Sequence, residues 1–140
     1  MTKDQKIIIV VDDNNSNLTA SKEILKPYYV VYPVLSAAKM FDLLEHITPD
    51  IILLDVEMPE MNGYEAARKL KGSDTYKNIP LIFLSAHNDP AEEVEGLNLG
   101  ALDFINKPFI AALLLKKLEI FLSLLDGQKK PETQDTQSPK

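Results

Sequence analysis

The chain has 140 residues, 45% of them hydrophobic and 26% charged, with a formal net charge of -6. That fits one globular domain with a sizeable core, and the acidic balance argues against a nucleic-acid binder, which would carry a basic stripe. There is no Cys, so disulfides and thiolate metal sites are excluded, and a zinc site would have only His46 and His87 to build on.

The N-terminal MTKDQK is polar and lacks the apolar stretch of a signal peptide. The first element is the apolar run Ile7–Val11, which ends abruptly in Asp12 and Asp13. Over 16–26 a helical pattern groups Leu18, Ile24 and Leu25 and is stopped by Pro27. A second apolar run, Tyr29–Val34, is interrupted by Pro33. Residues 37–47 place Ala37, Met40, Phe41, Leu44 and Ile47 on one helix face, with Ser36 as N-cap. The third run, Ile51–Leu54, leads into Asp55 and the turn-rich MPEMNG, where Asn-Gly tolerates positive φ. A short helix follows from Gly63 to near Gly72.

The fourth run, Leu81–Leu84, is followed by Ser85, Ala86 and His87. The next helix, 90–100, is strongly punctuated. Asp89 caps it, Pro90 suits its first position, Glu92 and Glu93 suit its positive end, and Gly100 stops it. A weaker strand, 102–106, precedes Lys107 and Pro108, and the last helix runs from near Pro108 to about Leu125. Its apolar stretch 109–125 is too short to span a membrane and is broken by Lys116, Lys117 and Glu119. Ile110, Leu114, Leu118, Phe121 and Leu125 are expected to form the buried stripe. Leu113, Ile120 and Leu124 lie beside it with Lys117 and are expected to meet a partner or a second copy. The domain is therefore expected to end at 125. Residues 126–140 carry no aliphatic or aromatic side chain and read as a disordered tail or linker. The whole reads as soluble and cytoplasmic.

Three of the runs are continuously apolar, which marks strands covered on both faces. Strand and helix alternate five times, which implies right-handed crossovers and a parallel sheet between two helical layers. In such sheets sites form beyond the carboxyl ends of the strands. Those ends carry Asp12 and Asp13, then Asp55, then Ser85, then Lys107. Taken singly, each is a cap, a turn residue or a solvated lysine; their joint placement is the signal. Two carboxylates about 4 Å apart repel by about 4 kcal/mol at an effective dielectric near 20. Three of them must raise a pKa or recruit a cation. Lys107 supplies one positive charge, and the all-oxygen set suits magnesium for the rest. A carboxylate beside magnesium, an ammonium and a hydroxyl can accept a phosphoryl group.

These motifs, IVVDDN, PDIILLDVEMPEMNGYE, IPLIFLSA and GALDFINKPF, resemble the response-regulator receiver domain of two-component signalling over about residues 5 to 125. The resemblance implies a flavodoxin-like α/β fold, a doubly wound (βα)5 sandwich with strand order 2-1-3-4-5. It implies Asp55 as phosphoacceptor. Magnesium, for which manganese can substitute, would be held by Asp13, Asp55 and the backbone carbonyl of Glu57, with Asp12 acting through water. Ser85 would be the switch hydroxyl, Lys107 the phosphoryl-binding cation before a cis Pro108, and Phe104 the aromatic switch residue. The family also uses Tyr at that last position, so Phe104 brings no hydroxyl. Gly63 would allow the tight loop behind Asp55, while Glu57 and His87 would tune rates. The phosphoryl donor would be a histidine kinase or phosphotransfer protein, and the 90–125 face the output or homodimer surface, with neither nucleic acid nor membrane engaged. The stretch NLGALDFINKPF also resembles receivers fused to cyclic-dinucleotide hydrolases.

Two other functions use similar parts. A magnesium-dependent phosphohydrolase with an Asp nucleophile usually places it after the first strand, with a second acid two residues on; here the acids are adjacent and the best nucleophile follows the third strand. A module that only binds partners would not need the complete acid, Ser and Lys set.

Overall fold

The computed structural model describes residues 5–86 and 89–129. The elements alternate without exception: β1 Ile7–Val11, α1 Asn15–Leu25, β2 Val30–Val34, α2 Ala37–Leu44, β3 Ile51–Asp55, α3 Gly63–Lys71, β4 Leu81–Ser85, α4 Pro90–Asn98, β5 Phe104–Asn106 and α5 Ala111–Lys129. The five strands form one parallel sheet in the order β2-β1-β3-β4-β5.

The continuous apolar runs follow from the layers. Successive strand side chains point to opposite faces. Ile9, Val11, Ile52, Leu54 and Phe83 therefore face one core, with Met40 of α2 and Ala66, Ala67 and Leu70 of α3. Ile8, Val10, Leu53, Ile82 and Leu84 face the other, with Leu18 and Leu25 of α1 and Leu114 and Leu118 of α5. Each fully buried Leu or Ile contributes about 1.5–3 kcal/mol, so both faces must stay apolar. β2 is an edge strand and only half-buried, and its exposed Pro33 is tolerated there because the lost N–H faces outward.

Local chemistry sets the helix ends. Asn14, Ser36, Asn62 and Asp89 cap α1 to α4 through their side chains, and Asn62 with Glu65 completes a capping box. Gly100 ends the turn after α4 at φ 98, a conformation glycine adopts freely.

The last helix departs from expectation. It begins at Ala111, not near Pro108, and runs on to Lys129, four residues past Leu125. Residues 130–140 of the expected tail lie outside the described residues. Ile110 precedes the first turn and is 67% exposed, so it is not part of the buried stripe. That stripe is Leu114, Leu118 and Leu122, with Phe121 and Leu125 half-buried at its margin. Leu113, Ile120 and Leu124 are exposed, as their phase on the helix implied. Among the described residues no helix is long and apolar enough to cross a membrane.

Candidate functional site

Strand register assembles the site. Val11 pairs with Leu54, so Asp12, one residue on, stands beside Asp55. Asp55 pairs with Leu84, so Ser85 is the next position across the sheet. Ser85 pairs with Asn106, which leaves Lys107 one step beyond the strand end. Backbone bonds lock this edge: the Asp12 N–H donates to the Val34 carbonyl at 3.1 Å and the Lys107 N–H to the Ser85 carbonyl at 2.8 Å.

Asp12, Asp55 and Ser85 are buried, while Asp13 is exposed at the rim. One carboxylate oxygen from each of Asp12, Asp13 and Asp55 lies within 4.8 Å of the other two. At that separation each pair repels by about 3 kcal/mol at an effective dielectric near 20. Lys107 answers part of this: its Nζ donates to Oδ2 of Asp12 and to Oδ1 of Asp55, both at 3.1 Å. The compensation is incomplete. Burial first, then the Asp12 charge, push the Asp55 carboxyl up from 3.8 to about 6, against Lys107 and the Glu57 N–H, which hold it down. Lys107 loses hydration on burial, but its two carboxylate partners more than offset this and hold its ammonium above the ordinary lysine range. Three oxygen donors with a net negative balance at an open rim are a donor set that suits a hard divalent ion.

The β3–α3 loop has its own constraint. A Cβ on Gly63 would lie 2.3 Å from the Asp55 carbonyl oxygen and 2.9 Å from Val56 Cα, and the Gly63 N–H donates to the Val56 carbonyl at 2.8 Å. Close approach, not a left-handed backbone, requires glycine here. The positive φ expected at Asn-Gly falls instead on Glu60, at 70°, because Asn62 is committed to capping α3 at φ -81°.

The structure thus brings together Asp12, Asp13, Asp55 and Lys107, with Ser85 at the adjoining strand end. The Lys107–Pro108 peptide is cis. Phe104 stands apart from the acids: its half-buried ring packs on Phe83, with centroids 5.3 Å apart. Glu57 is exposed on the loop after Asp55. His87 lies outside the described residues. One contributor was missed. The Asn14 N–H donates to Asp12 Oδ1 at 3.0 Å while the Asn14 side chain caps α1 through the Asn17 N–H. With four polar residues in a row after Asp13, the cap could not be assigned from the sequence to one of them.

The family model described as "Response regulator receiver domain" matches residues 8–119. A Vibrio cholerae protein named "Probable cyclic di-GMP phosphodiesterase" is 34% identical over 118 residues, which are 84% of this chain and 27% of that protein. The Staphylococcus aureus "Response regulator protein GraR" is 32% identical over 114 residues, 81% of this chain and 50% of that protein. The chain therefore spans half or less of the length of these curated relatives. Among solved structures, the receiver domain of the Pseudomonas aeruginosa sensor histidine kinase PA1611, with magnesium ion coordinated in its active site cleft, superposes at a TM-score of 0.76. It is 28% identical, over 85% of this chain and 98% of that one.

Proposed function

Because the chain belongs to the response regulator receiver domain family it is a phosphoacceptor signalling module, and we propose that Asp55 carries the phosphoryl group. One observation carries this reading: Asp55 is a buried carboxylate at a strand end whose Oδ1 shares the Lys107 ammonium with Asp12. A nucleophilic oxygen is then held next to a cation able to follow charge onto a transferred group.

The donor set supports magnesium as the cofactor, with manganese as substitute. Asp13, Asp55 and the Glu57 carbonyl would hold it directly. Asp12, whose oxygens accept from the Asn14 N–H and from Lys107, would act through water. Bound there, the ion supplies positive charge against the phosphoryl oxygens. Lys107 binds one phosphoryl oxygen, and the Ser85 hydroxyl turns toward another. Glu57 and His87 tune the rates. The donor is a histidine kinase or phosphotransfer protein, and the location is the cytoplasm.

The output face is α4, β5 and α5. Exposed Val94 and Leu97 on α4, with Ile110, Leu113, Ile120 and Leu124, support a protein partner or a second copy there. The likeness to a protein named a cyclic di-GMP phosphodiesterase supports control of cyclic-dinucleotide hydrolysis as the output.

Intact-mass measurement after incubation with magnesium and acetyl phosphate tests the reading. One phosphoryl gained, and lost in Asp55→Asn, is the expected result. Donor turnover without an adduct would mean a hydrolase, and neither adduct nor turnover a binding module.

A further inference from the structure

α4 is the most loosely seated helix of the fold. Of its residues only Gly96 is buried. The glycine is there because two rings press against it: a Cβ would lie 2.2 Å from Cε1 of Phe104 and 2.9 Å from Cδ2 of Phe83. The helix lies over the ring of Phe104 with no side chain between. α3 adds three contacts that hold it there. The Tyr64 hydroxyl donates to the Glu92 carbonyl in the first turn of α4 at 3.0 Å. One turn along α3, the Arg68 Nη2 pairs with Glu95 Oε2 at 3.0 Å. One further turn along, the Lys71 stem lies beside Gly100, just past the end of α4. These are positions i, i+4 and i+7 of a single stripe, which faces one neighbour on a helix.

The three arms are unequal. Arg68 and Glu95 are about half exposed, so solvent leaves that pair little strength. Tyr64 is buried, its ring sits edge-on to Phe83 with centroids 5.1 Å apart, and its hydroxyl is part-buried. Burial, then the charges of Glu92 and Glu95, push its hydroxyl up to about 12, so it remains a proton donor throughout the neutral range. Its backbone position is tied to the reaction centre. The preceding residue, Gly63, is the one packed against the Asp55 carbonyl. Three rings, Tyr64, Phe83 and Phe104, thus pack in sequence beneath α4, the first pair edge-on and the second tilted.

We propose that Tyr64 is a positioning residue: its hydroxyl holds α4 closed over the Phe104 ring, and so sets how readily the site at Asp55 adopts its switched packing. The inference rests on reading Asp55 as the phosphoacceptor and Phe104 as its aromatic switch. For the ring to leave Phe83, either α4 must lift at Gly96 or the ring must turn outward past it. The Tyr64 bond opposes the first. A bond that stabilises only the unswitched packing lowers the population competent for the phosphoryl group, and its removal raises that population.

Tyr64→Phe keeps the ring and deletes the hydrogen bond alone. Two measurements on the full chain decide the matter. The first is amide hydrogen exchange of residues 91–100 against β1 and β3, without phosphodonor. Opening of the α4 amides is expected to rise roughly three- to tenfold, the range for a lost part-buried hydrogen bond, while the strands stay unchanged. The second is titration with beryllofluoride and magnesium, a phosphoryl mimic, followed by NMR. The variant is expected to bind more tightly, by up to the same factor. A merely structural role would loosen strands and helix alike and leave mimic affinity unchanged or weaker; that outcome overturns the proposal, as does unaltered α4 exchange. If the wild-type chain binds no beryllofluoride, the phosphoacceptor reading fails instead, and the exchange result alone decides whether Tyr64 seats α4.

Discussion

The repulsion at the sheet edge has a thermodynamic consequence open to direct test. In the folded chain the Asp55 carboxyl is pushed up from 3.8 to about 6 by burial and by Asp12. Between those two pH values the folded state binds more protons than the unfolded state, so stability falls as pH rises through the window. Below about pH 4 Asp55 is neutral in both states and imposes no penalty. Above about pH 6 it is charged in both, and the full penalty applies, at most about 3 kcal/mol. Exposed Asp13 marks the side where water screens the site, so the working value is about 1–2 kcal/mol. Asp55→Asn keeps the shape and removes the charge. In EDTA at pH 7.5 the variant is expected to be more stable than the wild type by that amount, or roughly 4–8 °C in Tm for a domain of this size. The gain should shrink to about a third to a half of that at pH 4.5 and go on falling below about pH 4. Magnesium should return part of the difference to the wild type, about 1.4 kcal/mol at tenfold its Kd, and little to the variant. Urea and thermal unfolding of both proteins across pH 4.5–8 supply the comparison. A variant less stable than wild type at pH 7.5 in EDTA, or a gain independent of pH, would refute the electrostatic account.

Lys107→Met should leave Asp12 and Asp55 uncompensated and lower stability at pH 7.5 in EDTA by about 2–4 kcal/mol. The deficit should narrow at pH 5, where Asp55 takes up its proton, and magnesium should stabilise this variant more than the wild type; urea midpoints measure both effects. Gly63→Ala must displace the β3–α3 loop, because its Cβ would lie 2.3 Å from the Asp55 carbonyl oxygen. We expect a loss of at least about 2 kcal/mol in urea unfolding and slower labelling by acetyl phosphate. Ile120→Glu places a charge in the exposed stripe of α5 and should leave the fold intact while abolishing any self-association seen by sedimentation. An oligomeric state identical to wild type, with and without beryllofluoride, would argue against a dimer through this face.

How much of this was legible in the sequence depended on the kind of signal. Buried parallel strands announce themselves because both faces need apolar side chains, so Ile7–Val11, Ile51–Leu54 and Leu81–Leu84 could be read within a residue of their ends. Caps were legible where one polar residue stood alone, as Ser36 does, or stood directly before a helix-starting proline, as Asp89 does, and illegible in the run after Asp13. The acids, Ser85 and Lys107 could be grouped because a parallel sheet delivers all its carboxyl ends to one edge. What could not be read were facts of register and approach. Whether Lys107 reaches both Asp12 and Asp55 depends on where β5 stops, and the strand has only three residues. The reason for Gly63 is a backbone oxygen eight positions earlier, and the Asn-Gly pair invited the wrong turn. Ile110 was in phase with the buried stripe but lies before the helix begins. Tyr64 and Gly96 carry no polar motif; only the packing of rings beneath α4 and the Tyr64 hydroxyl's bond to the Glu92 carbonyl give them a role.

One geometric fact links the static site to a switch. Lys107 stands 3.1 Å from each of two carboxylates. A phosphoryl group on Asp55 would exchange one negative charge for about -1.5 to -2 and add three acceptor oxygens. The balance between the two partners of Lys107 must then tip away from Asp12. Any shift of Lys107 beyond the swing of its side chain carries the backbone with it, because its N–H is bonded to the Ser85 carbonyl and the chain on its amino side is β5. The pull therefore acts on the ends of β4 and β5 together, and at the head of β5 sits Phe104 under Gly96. Resistance to that pull is smallest where packing is thinnest, and α4 is the helix with a single buried residue. A tightly packed sheet edge that concentrates charge, coupled to one poorly anchored helix, would convert a local electrostatic change into movement of one face. The same reasoning explains why the other helices, each with at least two buried apolar side chains, should stay in place.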